Sequence, residues 1–209
     1  DGSKGEELED RYSTQLNLVA FLGRFDFGTS TSPVEAGYVP VLPTTTYSAA
    51  LGYGWQGATG LGVVRANGTA LTRDLIYAPA LTFAVDVPNG TYDVKLTTGD
   101  TDIYPHDLMG VFLEGTQVTT ISTLAGQVVT AAYSGVQVND GQLTLRLQDL
   151  GGIDANVVIN GLQVIWAGPD TFGPRVIAAS PSGNATAPVD RLRLPFDQPL
   201  LPGSFRVAD

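Results

Sequence analysis

Hydrophobic and polar residues alternate along the chain between positions 81 and 166. The alternation is plain over 81–87 and returns over 92–96, with the sequence Pro-Asn-Gly at 88–90 between the two segments. Successive side chains of a strand point to opposite faces, so a period of two predicts strands with one buried face. Proline and glycine favour a tight turn, and we therefore predict a β-hairpin over 81–96.

The same alternation predicts strands in other parts of the chain. Residues 14–22 fit either a helix or a strand, whereas 29–72 is rich in proline and glycine and predicts long loops. About eight or nine short strands separated by turns are typical of a β-sandwich, so we predict an all-β fold. The further strands are predicted at 23–28, 111–114, 117–122, 127–133, 143–147 and 157–166.

Changes in composition divide the chain into four segments. Residues 1–21 begin with a charged stretch that has no period, and we expect a loose leader there. Residues 22–167 form the main domain, and the glycines and prolines of 168–174 indicate a linker. The alternation restarts in 175–209, but this segment is too short for an independent core, so it predicts only part of a second domain.

The charge of the chain narrows the classes of partner. It carries 21 acidic residues against 11 basic ones, a formal net charge of −10. Such an acidic surface repels phosphate backbones, so nucleic-acid binding is not expected. No apolar run approaches the roughly 18 residues of a membrane span, so we expect no membrane insertion. Low charged content, with lysine only at Lys4 and Lys95, favours a secreted or cell-surface protein whose signal peptide is removed or lies outside this sequence.

The counts of cysteine and histidine exclude several kinds of reactive site. Without cysteine the chain has no disulfide, no thiolate nucleophile and no cysteine-based zinc site. With one histidine, any Ser-His-Asp triad must use His106, and no nucleophile-elbow motif accompanies it. No pattern in the sequence indicates the pair of carboxylates in a cleft that a glycoside hydrolase requires. We therefore expect that the chain is not an enzyme.

Several motifs follow one another in a characteristic order along the main domain. They are FDFG at 25–28, GYGW at 52–55, RDL at 73–75, the hairpin sequence at 87–100 and VVINGLQVI at 157–165. By these motifs residues 22–167 resemble the galactose-binding-like, malectin-related β-sandwich that accompanies bacterial polysaccharide-degrading enzymes, including rhamnogalacturonan acetylesterases. The resemblance implies a jelly-roll fold and a non-catalytic role, either carbohydrate binding or packing against a neighbouring module.

The end of the chain carries a second resemblance. The segments 174–183 and 194–205 are similar to bacterial Ig-like repeats of large surface and surface-layer proteins. This resemblance implies a partial Ig-like β-sandwich over 175–209, placed after the jelly roll in a long multidomain extracellular protein.

Aromatic side chains in or near the predicted loops are candidates for sugar binding. A sugar presents an apolar ring face that an exposed aromatic ring can cover, and loops on a rigid sandwich supply such rings. The candidates are Tyr53, Trp55, Tyr77 and Tyr104. Trp55 also fits a core position, because the glycines on either side of Tyr53 allow the chain to turn around the Trp55 side chain. Tyr104 lies between acidic residues and a proline, which favours exposure.

Polar residues near these aromatics complete the predicted binding set. The resemblance implies that Asp154 and Asn156, just before the last predicted strand, reach a carbohydrate ligand. The same residues also fit an Asx turn that caps the loop. His106 follows Tyr104 closely and is included among the ligand-binding candidates.

Two groups of acidic residues suggest a metal or an ion pair. Asp100, Asp102 and Asp107 form an acidic cluster that could bind Ca²⁺ through carboxylate and main-chain oxygens, although solvated turn residues give the same pattern. Asp26 lies between two phenylalanines on a predicted strand. If it is buried, it requires a partner such as Arg24, Arg73 or a metal ion.

Two functional hypotheses follow. The first is a non-catalytic carbohydrate-binding module of a secreted or cell-surface multidomain bacterial protein, with a polysaccharide or glycan as partner. The second is a structural or assembly module of an extracellular fibre, adhesin or surface layer, whose partners are neighbouring modules or copies of the same protein. Exposed aromatic ring faces in one groove would favour the first.

Overall fold

In a computed structural model of the chain, the described residues form β-strands joined by turns and loops. The structure describes residues 22–169 and, beyond them, only positions 178, 180, 191 and 193–195. No helix in this part of the chain is long and apolar enough to cross a membrane. The strands are β1 (Leu22–Phe27), β2 (Val39–Val41), β3 (Tyr53–Trp55), β4 (Leu61–Val64), β5 (Asp74–Ala78), β6 (Ala80–Asp86), β7 (Gly90–Gly99), β8 (His106–Leu113), β9 (Thr116–Thr123), β10 (Val128–Val138), β11 (Gln142–Asp149), β12 (Val157–Ile159) and β13 (Gly161–Pro169).

The strands form two five-stranded sheets and a smaller three-stranded sheet. One large sheet has the order β10-β7-β13-β1-β2, the other has the order β3-β6-β11-β8-β9, and the small sheet has the order β12-β5-β4. Every strand pair is antiparallel except β1 with β2. The prediction of an all-β sandwich is confirmed.

Aromatic rings join the two large sheets across one hydrophobic core. The Phe83 ring of β6 lies 5.0 Å from Phe27 and 5.1 Å from Phe25, both on β1, with the planes inclined as in edge-to-face pairs. Trp55 of β3 lies 5.3 Å from Phe27 and is buried. Such offset aromatic contacts add to the burial of apolar area and fix how the sheets pack.

The predicted hairpin over 81–96 is wrong in its pairing. The two strands exist as β6 and β7, but β6 pairs with β3 and β11, whereas β7 pairs with β10 and β13. The turn between them therefore carries the chain from one sheet to the other, and the Tyr92 hydroxyl donates to the Pro88 carbonyl at 2.7 Å beside it. Alternation predicts which face of a strand is buried. It does not predict which sheet the strand joins, because both sheets bury one face in the same core.

The predicted strand over 157–166 is interrupted at Asn160. Its two parts, β12 and β13, belong to different sheets, and the Asn160 amide nitrogen Nδ2 donates to the Asp74 carbonyl at 2.7 Å. β13 continues to Pro169, beyond the predicted domain end at 167. The stretch 29–72, predicted as loops, contains the short strands β2, β3 and β4.

The predicted leader 1–21 and most of the segments 168–174 and 175–209 lie outside the described residues. Within the last segment, the main chains of Ser180 and Arg193 form an antiparallel bridge with two hydrogen bonds of 2.9 Å. The Ig-like domain stays a prediction.

Candidate functional site

A groove of about 470 Å³ lies at the edge of the β3-β6-β11-β8-β9 sheet. It is formed where β8 begins and β9 ends, together with the loops 100–105 and 150–156. Register explains this meeting point, because the first residue of β8, His106, pairs with the last residue of β9, Thr123. The residues that line the groove are Tyr104, Pro105, Asp107, Ser122, Thr123, Leu124, Ile153 and Asp154.

Tyr104 is the aromatic residue on the wall of this groove, and 48% of its surface is exposed. The guanidinium carbon of Arg65 lies over its ring, 4.8 Å from the centroid. A cation over an aromatic face attracts the ring and orients it. Arg65 therefore positions Tyr104 while leaving about half of the residue accessible.

Arg65 is itself held by Asp100, which is buried. Its Nε donates to Asp100 Oδ1 at 3.0 Å and its Nη2 donates to Asp100 Oδ2 at 2.6 Å. Hydrogen bonds from Arg65 to this carboxylate raise the pKa of Arg65, which stays a cation. Paired hydrogen bonds of this kind fix the plane of the guanidinium and hence the position of the Tyr104 ring beneath it.

His106 connects Asp100 to the other wall of the groove. It is buried, and its Nδ1 donates to Asp154 Oδ2 at 2.5 Å. Its Nε2 lies 3.9 Å from Asp100 Oδ2 and has no hydrogen-bond partner among the described residues. Because a carboxylate accepts and cannot donate, the bond to Asp154 places a proton on Nδ1. Asn156 donates from Nδ2 to Asp154 Oδ1 at 3.3 Å, so both oxygens of Asp154 are engaged.

Asp107 organises the loop that forms this second wall. Its carboxylate accepts hydrogen bonds from the main-chain amides of Ile153, at 2.9 Å, and Asp154, at 3.0 Å. These two bonds lower the pKa of Asp107. A side chain on Gly152 would collide with the same carboxylate, and Gly152 has a φ of +106°. Only glycine therefore allows the loop to close over Asp107 in this conformation.

Two apolar side chains, Leu124 and Ile153, form the rim of the groove. Leu124 is 73% exposed and Ile153 is 100% exposed. Ile103, which precedes Tyr104 in the sequence, is also 73% exposed. Deeper in the groove, the Thr123 hydroxyl is buried and has no hydrogen-bond partner in this part of the structure. The groove thus combines an aromatic ring, apolar walls and a few polar groups.

Three of the four aromatic candidates lie away from the groove. Trp55 belongs to the core, and its indole nitrogen donates to the Leu42 carbonyl at 2.9 Å, so it presents no ring face and its predicted ligand role is wrong. At Gly54 a Cβ would overlap the main chain at 46–47, so β3 packs closely against that segment. Tyr53 is half-buried, with its ring centroid 5.1 Å from that of Phe25. Tyr77 is half-buried on β5.

The predicted calcium cluster is not formed by its three aspartates. Asp100 is paired with Arg65, and Asp102 lies 3.8 Å from the same guanidinium. Asp107 uses both oxygens on main-chain amides. Within the described ranges, no group of three or more histidine, aspartate or glutamate side chains could hold a metal ion.

Of the residues that the sequence suggests, the structure places Tyr104 and Asp154 on the groove and His106 directly behind Asp154, whereas the sequence indicates neither Arg65 nor the apolar rim. Arg65 lies 35 residues before Asp100 and has no motif that connects the two. The rim residues Leu124 and Ile153 come from two separate loops, and the turn sequence around 150–156 is the one signal that could have indicated the second wall.

Comparisons with known proteins agree with this fold. Residues 23–164 match the model of a family described as beta-agarase/YXIM esterase-like, galactose-binding domain-like. The match includes every residue that lines the groove, together with Arg65, Asp100 and His106.

Curated relatives and solved structures are similar to this chain. Beta-agarase A of Zobellia galactanivorans is 32% identical over 189 residues, which is 87% of this chain and 33% of the relative. The uncharacterized esterase YxiM of Bacillus subtilis is 32% identical over 132 residues, 60% of this chain and 32% of the relative. The crystal structure of the Bacillus subtilis YXIM protein superposes with a TM-score of 0.57 at 26% identity, covering 75% of this chain and 43% of that one. The chain spans about a third of the length of the curated relatives it matches.

Proposed function

Because the chain belongs to the galactose-binding domain-like family of beta-agarases and YXIM-like esterases, we propose that it is a non-catalytic carbohydrate-binding module of a secreted or cell-surface bacterial protein. The observation that carries the proposal is the exposed Tyr104 ring, held by the Arg65–Asp100 pair on the wall of the groove. An aromatic ring fixed in this way covers the apolar face of a sugar without losing much side-chain freedom on binding.

Polar groups in the same groove suit the hydroxyls of a sugar. Ser122 and Thr123 line it with hydroxyl groups, and Asp154 lines it with a carboxylate that His106 and Asn156 hold in place. A ligand hydroxyl can donate to an oxygen that already accepts one bond, because each carboxylate oxygen has two lone pairs. A few fixed polar groups beside an apolar wall are the usual composition of a ligand groove.

The surroundings of His106 support binding rather than catalysis. It is the one histidine of the chain. Acyl transfer by a Ser-His-Asp triad requires a hydroxyl hydrogen-bonded to Nε2, and among the described residues no hydroxyl makes that bond. His106 instead joins the two acidic side chains that position the groove walls.

The names of the relatives suggest which polysaccharides to test first. One relative is a beta-agarase, so agar-type galactans head the panel, followed by plant and microbial polysaccharides. The experiment is affinity electrophoresis of the full chain in polyacrylamide gels that contain each soluble polysaccharide. Retarded migration with at least one of them is the expected result.

Matched variants locate the binding. Tyr104→Ala is expected to lower the affinity obtained from the retardation at least about tenfold, whereas Tyr104→Phe retains the ring and most of the affinity. Leu61→Ala truncates a similarly exposed residue on β4, outside the groove, and is expected to bind like the wild type. Normal migration of the wild type with every polysaccharide would contradict the proposal.

A second candidate function rests on the apolar rim. The exposed Leu124 and Ile153 side chains suit a protein surface as well as a sugar, so the groove edge could pack against a neighbouring module or another copy of the chain. Sedimentation of the full chain at high concentration separates the two. Self-association that Ile153→Ser abolishes, without any retention by polysaccharides, would favour the assembly module.

A further inference from the structure

A hydroxyl group deep in the groove has no partner within the protein. Thr123 lines the groove, yet the residue is only 4% exposed. Its Oγ1 makes no hydrogen bond with any of the described residues. The neighbouring groove hydroxyl is different, because Ser122 Oγ accepts a bond from the Leu108 amide at 3.0 Å. A buried hydroxyl without a partner is costly, so Thr123 is placed to bind a polar group of a ligand.

His106 places a second unpaired polar atom beside this hydroxyl. Thr123 pairs with His106 across β9 and β8, so the two side chains are neighbours on one face of the sheet. His106 is 6% exposed, and within the described ranges its Nε2 has no hydrogen-bond partner. The His106 proton lies on Nδ1, toward Asp154, which leaves Nε2 as an acceptor in the neutral ring. The surroundings of Thr123 therefore favour a ligand group that both donates and accepts, as a hydroxyl does.

The charge around the unpaired hydroxyl is negative. Among the described residues that line the groove, Asp107 and Asp154 are acidic, and none is a lysine or an arginine. The Arg65 guanidinium, which lies over the ring on the groove wall, is already held by Asp100 at 2.6 Å and lies 3.8 Å from Asp102. A sulfate or carboxylate on a ligand would meet like charges here, whereas an uncharged hydroxyl can donate to them.

We infer that Thr123 binds a hydroxyl group of an uncharged sugar, and that the carboxylates around it exclude sulfated and carboxylated chains. This inference rests on the proposed function and names the class of polysaccharide that the groove takes. A sugar hydroxyl can accept from Thr123 Oγ1 and donate to a carboxylate oxygen such as those of Asp154. A ligand without that hydroxyl leaves the buried Thr123 unpaired, so the site discriminates against it.

The first test removes the hydroxyl of Thr123 and nearly preserves the shape of the side chain. Affinity electrophoresis of the full chain uses a polysaccharide that retains the wild type. We expect Thr123→Val to lower the affinity about tenfold and Thr123→Ser, which keeps a hydroxyl, to retain most of it. The Tm of Thr123→Val should not fall, because the free chain loses only an unpaired polar atom. Thr116→Val makes the same change at the other end of β9 and is expected to bind like the wild type.

The second test changes the charge of the ligand and little else. Carboxymethyl and hydroxyethyl ethers of the same retained polysaccharide, at the same low degree of substitution, carry substituents of similar size. We expect the hydroxyethyl ether to bind like the parent polysaccharide and the carboxymethyl ether to bind about tenfold more weakly at low salt. Because salt screens the repulsion, this difference should shrink as NaCl is raised from about 0.01 M to about 1 M.

Charge variants assign the repulsion to the groove rather than to the whole chain. The Asp102 side chain is 48% exposed next to Arg65, and Asp102→Asn is expected to narrow the difference between the two ethers about twofold at low salt. Asp140→Asn removes an exposed charge in the turn before β11, at the opposite end of that strand from the groove loop 150–156. It is expected to leave the difference unchanged, and equal effects of the two variants would overturn the inference.

Other results would overturn the inference and leave the proposed function intact. These are a carboxymethyl ether that binds as tightly as the hydroxyethyl ether, a wild-type chain that only anionic polysaccharides retain, and a Thr123→Val variant with unchanged affinity. Weaker binding of Thr123→Val together with a lower Tm would also overturn it, because the hydroxyl would then support the fold. A wild-type chain that no polysaccharide retains would instead contradict the proposed function, and this inference with it.

Discussion

At the residue scale, the proposed function depends on how side chains hold one another rather than on which residues are present. Tyr104 presents its ring because Arg65 lies over it, and Arg65 is fixed because Asp100 is buried beneath it. The sequence predicts an exposed Tyr104 from its acidic and proline neighbours. It does not predict the Arg65 contact, since the cation–π pair joins residues from separate loops.

Removing the carboxylate beneath Arg65 is expected to destabilise the fold. Asp100→Asn replaces a paired, charge-assisted interaction with a neutral amide, so we expect the free energy of unfolding to fall by about 2–3 kcal/mol. Asp102→Asn is the matched control, because its carboxylate is 48% exposed and 3.8 Å from Arg65, and it is expected to change stability by less than about 0.5 kcal/mol. Urea unfolding measures both, and equal losses would contradict the role given to Asp100.

The raised pKa of Glu114 leads us to expect that the stability of the fold depends on pH. Burial raises its pKa from 4.5 to about 7, although the Thr144 amide donates to it at 2.6 Å. Between these pH values the unfolded chain releases the proton while the folded chain retains it, so the contribution of Glu114 falls as pH rises from 4.5 to 7. Glu114→Gln keeps an acceptor for Thr144 and removes the titration.

The variant should therefore be more stable than the wild type at pH 8, by about 1–2 kcal/mol, and equally stable at pH 4. Unfolding free energies measured across this range give the difference directly. Parallel curves for the two proteins would show that Glu114 does not titrate in this way.

At the scale of elements, the alternation predicted where strands lie better than it predicted which strands pair. β6 and β7 were expected as a hairpin, yet they belong to opposite sheets, because both bury one face in the same core. Asn160 interrupts a run of apolar residues that otherwise looks like one strand, and its buried amide bonds to Asp74, far away in sequence. Pairing and breaks depend on such distant partners, so the local sequence does not determine them.

The loop 150–156 offers a test at this scale. Gly151 and Gly152 have similar positive φ angles of +103° and +106°, but only Gly152 faces a neighbour, the Asp107 carboxylate. Both alanine substitutions strain the main chain, whereas Gly152→Ala alone also displaces Asp107. We expect Gly152→Ala to reduce polysaccharide retention several-fold more than Gly151→Ala. Equal losses would show that the contact with Asp107 does not shape the groove.

At the scale of the whole molecule, the position of the groove depends on the order of the strands in one sheet. The groove is assembled from Arg65 and from 100–107, 122–124 and 150–156, which meet because β8, β9 and β11 are neighbours in one sheet. The sequence predicted the fold class and the family resemblance, since alternation and motif order are written along the chain. It could not predict the groove, because that depends on which strand ends come together in the folded sheet.

Carbohydrate is proposed to bind in this groove, beside Tyr104. The most direct measurement is a titration of the isotope-labelled chain with oligosaccharides of a retained polysaccharide, followed by the chemical shifts of each amide. If carbohydrate binds there, the changes are saturable and concentrated at Tyr104, Leu124 and Ile153, and they disappear in Tyr104→Ala. Saturable changes confined to another surface, such as β7 and β10, or no change with any oligosaccharide, would contradict it.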